Sequence, residues 1–326
     1  MTIDDVARLA EVSKTTVSHV LTGKRPVAPE TRARVETAIS QLRYRPNGLA
    51  RSLRTRTTHM VALVIPDITN PFYPLLHRGL EDGLDGDYRT FLCSTDGRPE
   101  REREFLEEVA DRRVDGVVID SFTMQHHAAA TVPASIPIVR IGTTVVDDPN
   151  HDTVHADDEN GASAATRHLV AKGHRRIAMI QGPPGAGGAR NAGYRRVLEE
   201  RGLPVDRSLV VSGDWTRPGG TRAAEQLLRL PDPPTAIFCA NDLMALGALD
   251  ACRAHDKDVP GDVAIVGYDD IEAAAMVLPP LTTVSNPAYE TGFLAGVLLR
   301  ERMTGAYRGA PRTATLPCRL VERATS

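Results

Sequence analysis

The chain has 326 residues, of which 41% are hydrophobic and 25% charged, and its formal net charge at pH 7 is −3. This length accommodates a small domain together with a two-part core. No apolar run approaches the roughly 20 residues of a membrane span, and no cationic leader precedes an apolar segment, so we expect a cytoplasmic protein without a membrane partner. The cysteines lack metal or redox spacing and are expected to be reduced thiols: Cys93, Cys239, Cys252 and Cys318.

Residues 2–22 have the pattern of two short amphipathic helices. Thr2 with Asp5 indicates a capping box, and Ser13 can cap the second helix. A third helix is predicted from Pro29, which suits a first helical position, to Leu42. Three small helices around one core are typical of a helix-turn-helix domain, in which the second helix lies in the DNA major groove. The apolar stripes of the first two helices contain Val6, Ala10, Val17, Val20 and Leu21.

The opposite face of the second helix is polar. It carries Lys14, Thr15, Ser18 and His19, whose side chains can reach base edges or phosphates. Such a face is equally typical of an ordinary solvated helix. The charge distribution favours DNA binding, because residues 1–58 contain 11 Lys and Arg against 5 Asp and Glu, whereas the remainder contains 28 against 37. A basic head supplies salt-dependent attraction to phosphate, and an acidic remainder limits indiscriminate binding.

Residues 44–58 connect this head to the rest of the chain. Leu49 and Leu53 are four residues apart among several arginines, which favours a helix with one apolar edge. About two turns are not stable alone in water, so we expect this segment to be disordered until it binds a partner. A basic interdomain tether is the plainer interpretation.

Residues 2–58 resemble the LacI/GalR family of bacterial transcriptional repressors. The similarity runs through TIDDVARLAEVSKTTVSHVL, the later pattern TR..V..A...L.Y.PN and ARSL, and is especially close to the purine repressors of that family. The resemblance implies base-reading roles for Lys14, Thr15 and His19, and backbone contacts for Ser18, Tyr44 and Asn47. It also implies that residues 46–58 form a hinge helix that folds on operator DNA, with Leu53 wedged into the minor groove to bend the duplex.

From residue 60 onward, short β-rich runs alternate with helical ones, which predicts parallel sheets covered on both faces. The order repeats after about 100 residues, so two α/β lobes are favoured over one sheet. The predicted strands are 61–65, 90–93, 116–119, 138–141, 177–181, 209–212, 236–239 and 263–267. The predicted helices are 73–84, 101–112, 161–172, 190–201, 220–230, 243–255 and 290–303.

In such sheets a ligand binds at the carboxyl ends of the strands, between the lobes. The loops expected there are 66–73, 157–161, 182–194, 213–215, 240–242, 267–270 and 282–287. The resemblance to the LacI/GalR family covers this region as well. It runs through the segments IPDITNPFY, RVDGVVI, GHRRIAMIQGP, PTAIFCAND, VPGDVAIVGYDD and PPLTTV. It implies a periplasmic-binding-protein-like core with a small-molecule effector between the lobes. The matching effector-contact positions are Arg190, Trp215, Asn241, Asp269 and Asn286, with Asn70, Phe72 and Asn160 in more variable segments.

These residue types suit a sugar, because Asp, Asn and Arg provide paired donors and acceptors for hydroxyl groups and Trp provides a flat platform. Each also has an ordinary structural interpretation. Asp269 or Asn241 could cap a helix, Trp215 could fill the core, and Arg190 could pair with a carboxylate.

Several patterns that suggest catalysis lack the context they need. The spacing of His151 and His155 is that of a zinc-binding helix, but Asp147, Asp148, Pro149 and Asn150 precede them, and we interpret residues 151–155 as a polar loop. The glycine-rich run 182–188 lacks the Lys-Ser/Thr ending of a P-loop. Asp269 and Asp270 are neighbours that would point in opposite directions, so they do not form a glycosidase pair. We therefore expect no enzyme, no catalytic residues, no metal and no cofactor.

The sequence thus predicts a small all-α helix-turn-helix head plus an α/β two-lobed periplasmic-binding-protein-like core. The predicted limits are 1–45 for the DNA-binding domain, 46–58 for the hinge and 59–326 for the core, with lobe 1 at 59–157 and 288–316 and lobe 2 at 158–285 and 317–326. The expected function is a homodimeric repressor that binds palindromic operator DNA under control of a small-molecule effector, for which a sugar is the first choice. The alternatives are a sugar-binding transport protein or a sugar-processing enzyme on the same core.

Overall fold

A computed structural model describes residues 1–23, 25–44, 57–112, 114–121, 132–142, 150–184 and 186–326. Most of the predicted hinge, including Asn47 and Leu53, lies outside these residues. The chain divides into two compact units, Met1–Thr58 and His59–Ser326. No helix in the described parts of the chain is both long and apolar enough to cross a bilayer.

The first unit contains three helices: α1 (Ile3–Leu9), α2 (Lys14–Thr22) and α3 (Pro29–Leu42). Thr2 and Asp5 form the predicted capping box, Ser13 accepts a hydrogen bond from the backbone of Thr16, and Pro29 begins α3. The predictions of these three helices and their starts are confirmed. Their shared core contains Val6, Ala7, Ala10, Val17, Val20, Val35 and Ala38.

The second unit begins with a six-stranded parallel sheet. Its strands are β1 (Met60–Ile65), β2 (Arg89–Ser94), β3 (Gly116–Asp120), β4 (Ile138–Ile141), β5 (Asp152–Ala156) and β11 (Thr313–Leu316), in the order β11-β5-β4-β3-β1-β2. Alternate residues of β1 contact opposite layers: Leu63 packs with α4 (Phe72–Gly83) and α11 (Ala288–Thr304), and Val64 packs with α5 (Pro99–Arg112). This alternation follows from the two-residue repeat of a strand.

A separate four-stranded parallel sheet has the order β7-β6-β8-β9. Its strands are β6 (Ile177–Gln181), β7 (Val210–Ser212), β8 (Ala236–Cys239) and β9 (Ala264–Val266). The surrounding helices are α6 (Asp158–Ala171), α7 (Gly188–Glu200), α8 (Arg217–Leu228), α9 (Asp242–Ala254) and the short α10 (Glu272–Met276). A two-stranded antiparallel ribbon of β10 (Thr283–Ser285) and β12 (Arg319–Val321) completes this half.

The chain passes between the two sheets three times: after β5, after β10 and after β11. Two separate parallel sheets confirm the predicted two-lobed α/β architecture, and all eight predicted strands are present in shifted or equal bounds. Strands β5, β10, β11 and β12 and helix α10 were not predicted.

The interpretation of residues 151–155 as a polar loop is wrong. Residues Asp152–Ala156 form β5, an interior strand of the six-stranded sheet, and all five are buried. Asp152 accepts hydrogen bonds from Arg302 at 2.7 Å and from Arg312 at 2.8 Å, and His155 contacts Thr315 at 3.1 Å. Asp152 and His155 are tolerated in the sheet because each has a hydrogen-bond partner inside the protein, whereas the buried Thr153 hydroxyl has none among the described residues.

Helices α4 and α11 contact each other directly through their backbones. A Cβ atom added to Gly79 would collide with the carbonyl oxygen of Tyr289, and one added to Gly292 would collide with that of Leu76. Gly83 and Gly296 continue the same contact one turn further along. We call these four residues the glycine seam. The seam joins α4, near the start of the core, to α11, which follows the second passage of the chain between the two sheets.

Candidate ligand cavity and DNA-binding surface

A cavity of about 90 Å³ lies at the carboxyl ends of the strands, with walls from both sheets. Seven of the eight predicted effector-contact residues line it: Asn70, Phe72, Arg190, Trp215, Asn241, Asp269 and Asn286. The remaining lining residues are Tyr73, Asp120, Ile141, Gly142, Ala156, Asp158, Gly187 and Thr291. The location agrees with the rule that open α/β sheets bind ligands beyond the carboxyl ends of their strands.

Arg190 is the central charged group of this cavity. Its Nε atom lies 3.1 Å from Asp158 Oδ1, its Nη2 atom lies 3.6 Å from Asp269 Oδ1, and its Nη1 atom donates to the Ala240 carbonyl oxygen at 2.5 Å. Burial alone would lower the pKa of Arg190, but the neighbouring carboxylates outweigh it and raise that pKa above its ordinary value. The guanidinium is therefore charged and fixed in orientation.

Asp269 lies on a strained turn that aims it into the cavity. Its backbone φ angle is 109° and that of Asp270 is 57°, and residues other than glycine rarely adopt such positive values. The Asn286 side-chain amide donates to Asp269 Oδ1 at 3.0 Å. Burial raises the pKa of Asp269 to about 6, although Arg190 and Asn286 act in the opposite direction. Asp269 is thus a hydrogen-bond acceptor positioned from two sides.

Asn241 connects the cavity to helix α9. Its Oδ1 accepts from the Met244 backbone at 2.9 Å, so it caps the helix, and its Nδ2 donates to the Trp215 carbonyl oxygen at 2.9 Å. Trp215 has a φ angle of 66°, and its ring packs against Gly182. The structural interpretations considered for Asn241 and Arg190 are therefore correct, and both residues line the cavity as well.

Four polar cavity residues were not predicted from the sequence: Tyr73, Asp120, Asp158 and Thr291. The Tyr73 hydroxyl donates to Asp120 Oδ2 at 3.0 Å. Burial raises the pKa of Asp120 to about 7. Asp120 is the last residue of β3 and follows a run of buried residues. A polar residue at the carboxyl end of a buried strand was the sequence feature that could have identified it as a cavity residue.

Asn160 is the predicted effector residue that the structure does not bring into the cavity. It is exposed in the first turn of α6, where its Nδ2 donates to Asp157 at 2.7 Å and its Oδ1 accepts from Arg196 at 2.9 Å. Asp157 caps the helix, and the next residue, Asp158, lines the cavity. Asn160 lies two helical positions later, on a different side of the helix, so its side chain points away from the cavity. We therefore do not assign Asn160 to the ligand.

A second cavity of about 450 Å³ adjoins the first one and shares Asn70, Tyr73 and Trp215 with it. Its acidic lining residues are Asp67, Asp96 and Asp214, and its apolar surface comes mainly from Pro66, Pro183, Pro184 and Trp215. We call the two spaces the inner cavity and the outer cavity. Among the described residues no group of His, Cys, Asp and Glu has a geometry suited to a metal ion.

In the first unit, the predicted DNA-reading residues lie on one helix. Lys14 and Thr15 are exposed at the start of α2, and Ser18 and His19 are half-buried further along it. Lys14 Nζ lies 2.5 Å from Asp4 Oδ1. Tyr44 packs partly against the core of the three helices.

Comparison with known proteins agrees with both units. The model of "Bacterial regulatory proteins, lacI family" matches residues 2–47, and the model of "Periplasmic binding protein-like domain" matches residues 166–326. The ribose operon repressor of Escherichia coli K12 is 40% identical over 310 residues, which cover 93% of each chain.

Solved structures extend the similarity to three dimensions. A lac repressor dimer bound to operator and an anti-inducer has a TM-score of 0.85 and 28% identity, covering 100% of this chain and 98% of that one. A LacI family regulator from Enterococcus faecium with bound ribose has a TM-score of 0.73 and 28% identity, covering 82% of this chain and 98% of that one. A helix-turn-helix head, a two-sheet core with a cavity at its strand ends, and a relative of this identity over nearly the whole chain lead to one conclusion: the chain belongs to the LacI family of bacterial regulatory proteins and is a DNA-binding transcriptional regulator.

Proposed function

We propose that this protein represses transcription as a homodimer on a palindromic operator and that an unmodified pentose, D-ribose as the first choice, controls its operator affinity from the inner cavity. The observation that carries the proposal is the arrangement of Arg190, Asp269 and Asn286. Fixed donors and acceptors converge there beside Trp215 and Phe72, and they suit the hydroxyl groups and the apolar face of one sugar ring.

The choice of a pentose is supported by size and by the relatives. A cavity of about 90 Å³ is small compared with the roughly 300–1,000 Å³ of sites for drug-sized ligands. The E. coli relative is named a ribose operon repressor, and the E. faecium structure contains ribose. Seven predicted residues are assigned to the sugar: Asn70, Phe72, Arg190, Trp215, Asn241, Asp269 and Asn286.

In the head, we assign base reading to Lys14, Thr15 and His19, and backbone contacts to Ser18, Tyr44 and Asn47. The exposure of Lys14 and Thr15 at the start of α2 supports this assignment, because the leading end of a recognition helix is the part that enters the major groove. The ion pair of Lys14 with Asp4 is exposed, so little free energy opposes its exchange for a phosphate or base contact.

The proposed domain limits are 1–45 for the head, 46–58 for a hinge helix with Leu53 as the minor-groove wedge, and 59–326 for the core. Within the core, lobe 1 comprises 59–157 and 288–316, and lobe 2 comprises 158–285 and 317–326. The return of β11 to the six-stranded sheet and the pairing of β12 with β10 support these limits.

Because the lining residues come from both sheets, a bound sugar favours the conformations in which the two walls are close together. A shift in the lobe angle that reaches the hinge then changes the population able to bind operator. The proposal includes no chemical conversion of the sugar, and the relatives support this because they are named as repressors. The regulator is proposed to act in the cytoplasm, on the nucleoid.

The test begins with operator identification. Footprinting of the full chain on fragmented genomic DNA should reveal a protected pseudo-palindrome, and titration with D-ribose should change its affinity for the protein. Recovery of the sugar unchanged after incubation checks that the protein is not an enzyme. A protein that binds no specific DNA sequence with or without sugars, or whose operator affinity ignores every pentose tested, contradicts the proposal.

A further inference from the structure

The inner cavity contains more negative than positive groups. Its described lining includes three carboxylates, those of Asp120, Asp158 and Asp269, and a single cation, Arg190. Arg190 is already held by Asp158 at 3.1 Å, by Asp269 at 3.6 Å and by the Ala240 carbonyl oxygen at 2.5 Å. A ligand therefore finds one guanidinium whose charge is largely balanced by the protein itself.

Asp120 is the carboxylate left without a cation. It is 9% exposed at the end of β3, and the Tyr73 hydroxyl donates to it at 3.0 Å. Within the described ranges no Lys or Arg forms an ion pair with it. A neutral sugar can donate a hydroxyl to Asp120 and so replace the lost hydration. A phosphate or carboxylate group on the ligand cannot donate a hydrogen bond in this way, and it adds further negative charge beside Asp120 in a poorly solvated space.

The outer cavity gives an anionic substituent no better site. Among the residues that the structure describes, the charged ones in its lining are all acidic: Asp67, Asp96 and Asp214. Asp67 accepts from Thr69. Asp96 pairs with Arg101 and Asp214 with Arg222, but these guanidinium groups are 41% and 68% exposed, where salt screens them. An anionic group that extends outward from the sugar thus meets carboxylate oxygens first.

Resting on the sugar-binding function proposed above, we propose that this cleft is a charge filter: it binds sugars that carry no anionic group and rejects their phosphorylated forms, with Asp120 as the specificity-determining residue. The regulator accordingly responds to a sugar before phosphorylation. A phosphoryl transfer to the sugar therefore converts the ligand into a form that the protein does not bind.

The test compares matched pairs of ligands by isothermal titration calorimetry on the full chain at pH 8: D-ribose with D-ribose 5-phosphate, and D-glucose with D-glucose 6-phosphate. We expect the neutral member of a pair to bind at least about 100-fold more tightly than its phosphate, since like charges in a partly buried site repel by a few kcal/mol. Asp120→Asn should reduce this ratio about tenfold. Asp232→Asn, which removes the same charge from a side chain that is 81% exposed, should leave it unchanged.

The outcomes separate the two proposals. A neutral sugar that binds while its phosphate does not, with a ratio that falls in Asp120→Asn only, supports both. A phosphate that binds as tightly as the neutral sugar, or a ratio unchanged in Asp120→Asn, overturns the charge filter and leaves the sugar site standing. If neither member of either pair binds to the folded protein, both the sugar site and the filter are overturned.

Discussion

The guanidinium carbon of Arg190 lies 3.8 Å from the centre of the Tyr268 ring, so a completely buried aromatic side chain stacks against the one cation in the described lining of the inner cavity. The Tyr268 hydroxyl is 3.2 Å from Cys318 Sγ. The stacking sets the plane of the guanidinium, and Asp158 and Asp269 lie at its edges. Tyr268 therefore positions a ligand-binding group without lining the cavity.

Replacement of Tyr268 should separate stacking from hydrogen bonding. Tyr268→Phe keeps the ring and should change D-ribose affinity less than about threefold, whereas Tyr268→Leu removes it and should weaken binding about tenfold or more, since a desolvated cation–π contact contributes about 2 kcal/mol. Calorimetry measures both affinities, and operator binding without sugar serves as the folding control. Equal effects of Phe and Leu would contradict a positioning role.

The stability of the core should depend on pH through Asp120. Burial raises the pKa of Asp120 to about 7 from its ordinary value of 3.8. Between these pH values the folded protein holds a proton that the unfolded chain has released, so the free energy of unfolding falls as pH rises and levels off above about pH 7. Asp120→Asn lacks this dependence. Its stability relative to the parent protein should increase from pH 4 to pH 7, by up to the order of 4 kcal/mol.

Urea unfolding at several pH values measures this difference. Trp215 is the only tryptophan, and it lies in the core, so its fluorescence follows the core separately from the head. Asp269, whose pKa is raised to about 6, is present in both proteins and its contribution cancels in the comparison. If the difference in unfolding free energy between Asp120→Asn and the parent protein were constant from pH 4 to pH 8, the pKa of Asp120 would not be raised by burial.

The glycine seam should not tolerate a single added methyl group. In Gly292→Ala the new Cβ would meet the Leu76 carbonyl oxygen, which belongs to a helix backbone and cannot move without displacing α4. We expect a loss of about 1–3 kcal/mol or more. Gly188→Ala is the matched control, because its Cβ has no neighbour within 4 Å. Urea midpoints by Trp215 fluorescence should differ clearly between the two variants, and similar midpoints would count against backbone contact.

In the head, His19→Ala should change which operators are preferred. Loss of a base-edge contact costs about 1–3 kcal/mol and relaxes selectivity at one position of each half-site. Binding to unrelated DNA should change little, because phosphate contacts supply it. Selection from a randomised operator library gives the preference, and Arg8→Ala, a charge change at a residue on α1 whose side chain is 79% exposed, is the comparison. A uniform loss on all sequences would assign His19 to the backbone instead.

Sequence reasoning predicted the strand–helix alternation well because hydrophobic periodicity is a local property. It missed β5 because Asp152 and His155 are polar and their partners are remote: Arg302 and Arg312 lie 150 and 160 residues from Asp152 along the chain, and Thr315 lies 160 residues from His155. The strands β10, β11 and β12 were missed because each combines a length of three or four residues with Thr or Arg in its sequence, whereas the equally short β9 is apolar throughout.

Only part of the cavity could be predicted, because several of its contacts join residues that are distant along the chain. Motif positions located Arg190, Asp269 and Asn286, but the exact phase of a helix start decided between Asp158 and Asn160. Asp120 was missed because nothing in its neighbourhood shows that Tyr73, 47 residues earlier, donates to it. Contacts between distant segments are what the linear pattern does not contain.

The glycine seam also bears on how regulators of this design diversify. At the four glycines, backbone contact leaves no room for a side chain between α4 and α11, so these positions have very low mutational tolerance. Asn70 and Phe72 stand just before or at the start of α4, and Asn286 just before α11, outside the seam. Their side chains can be exchanged without disturbing the helix pair, so the protein can evolve towards new ligands while its framework stays constant.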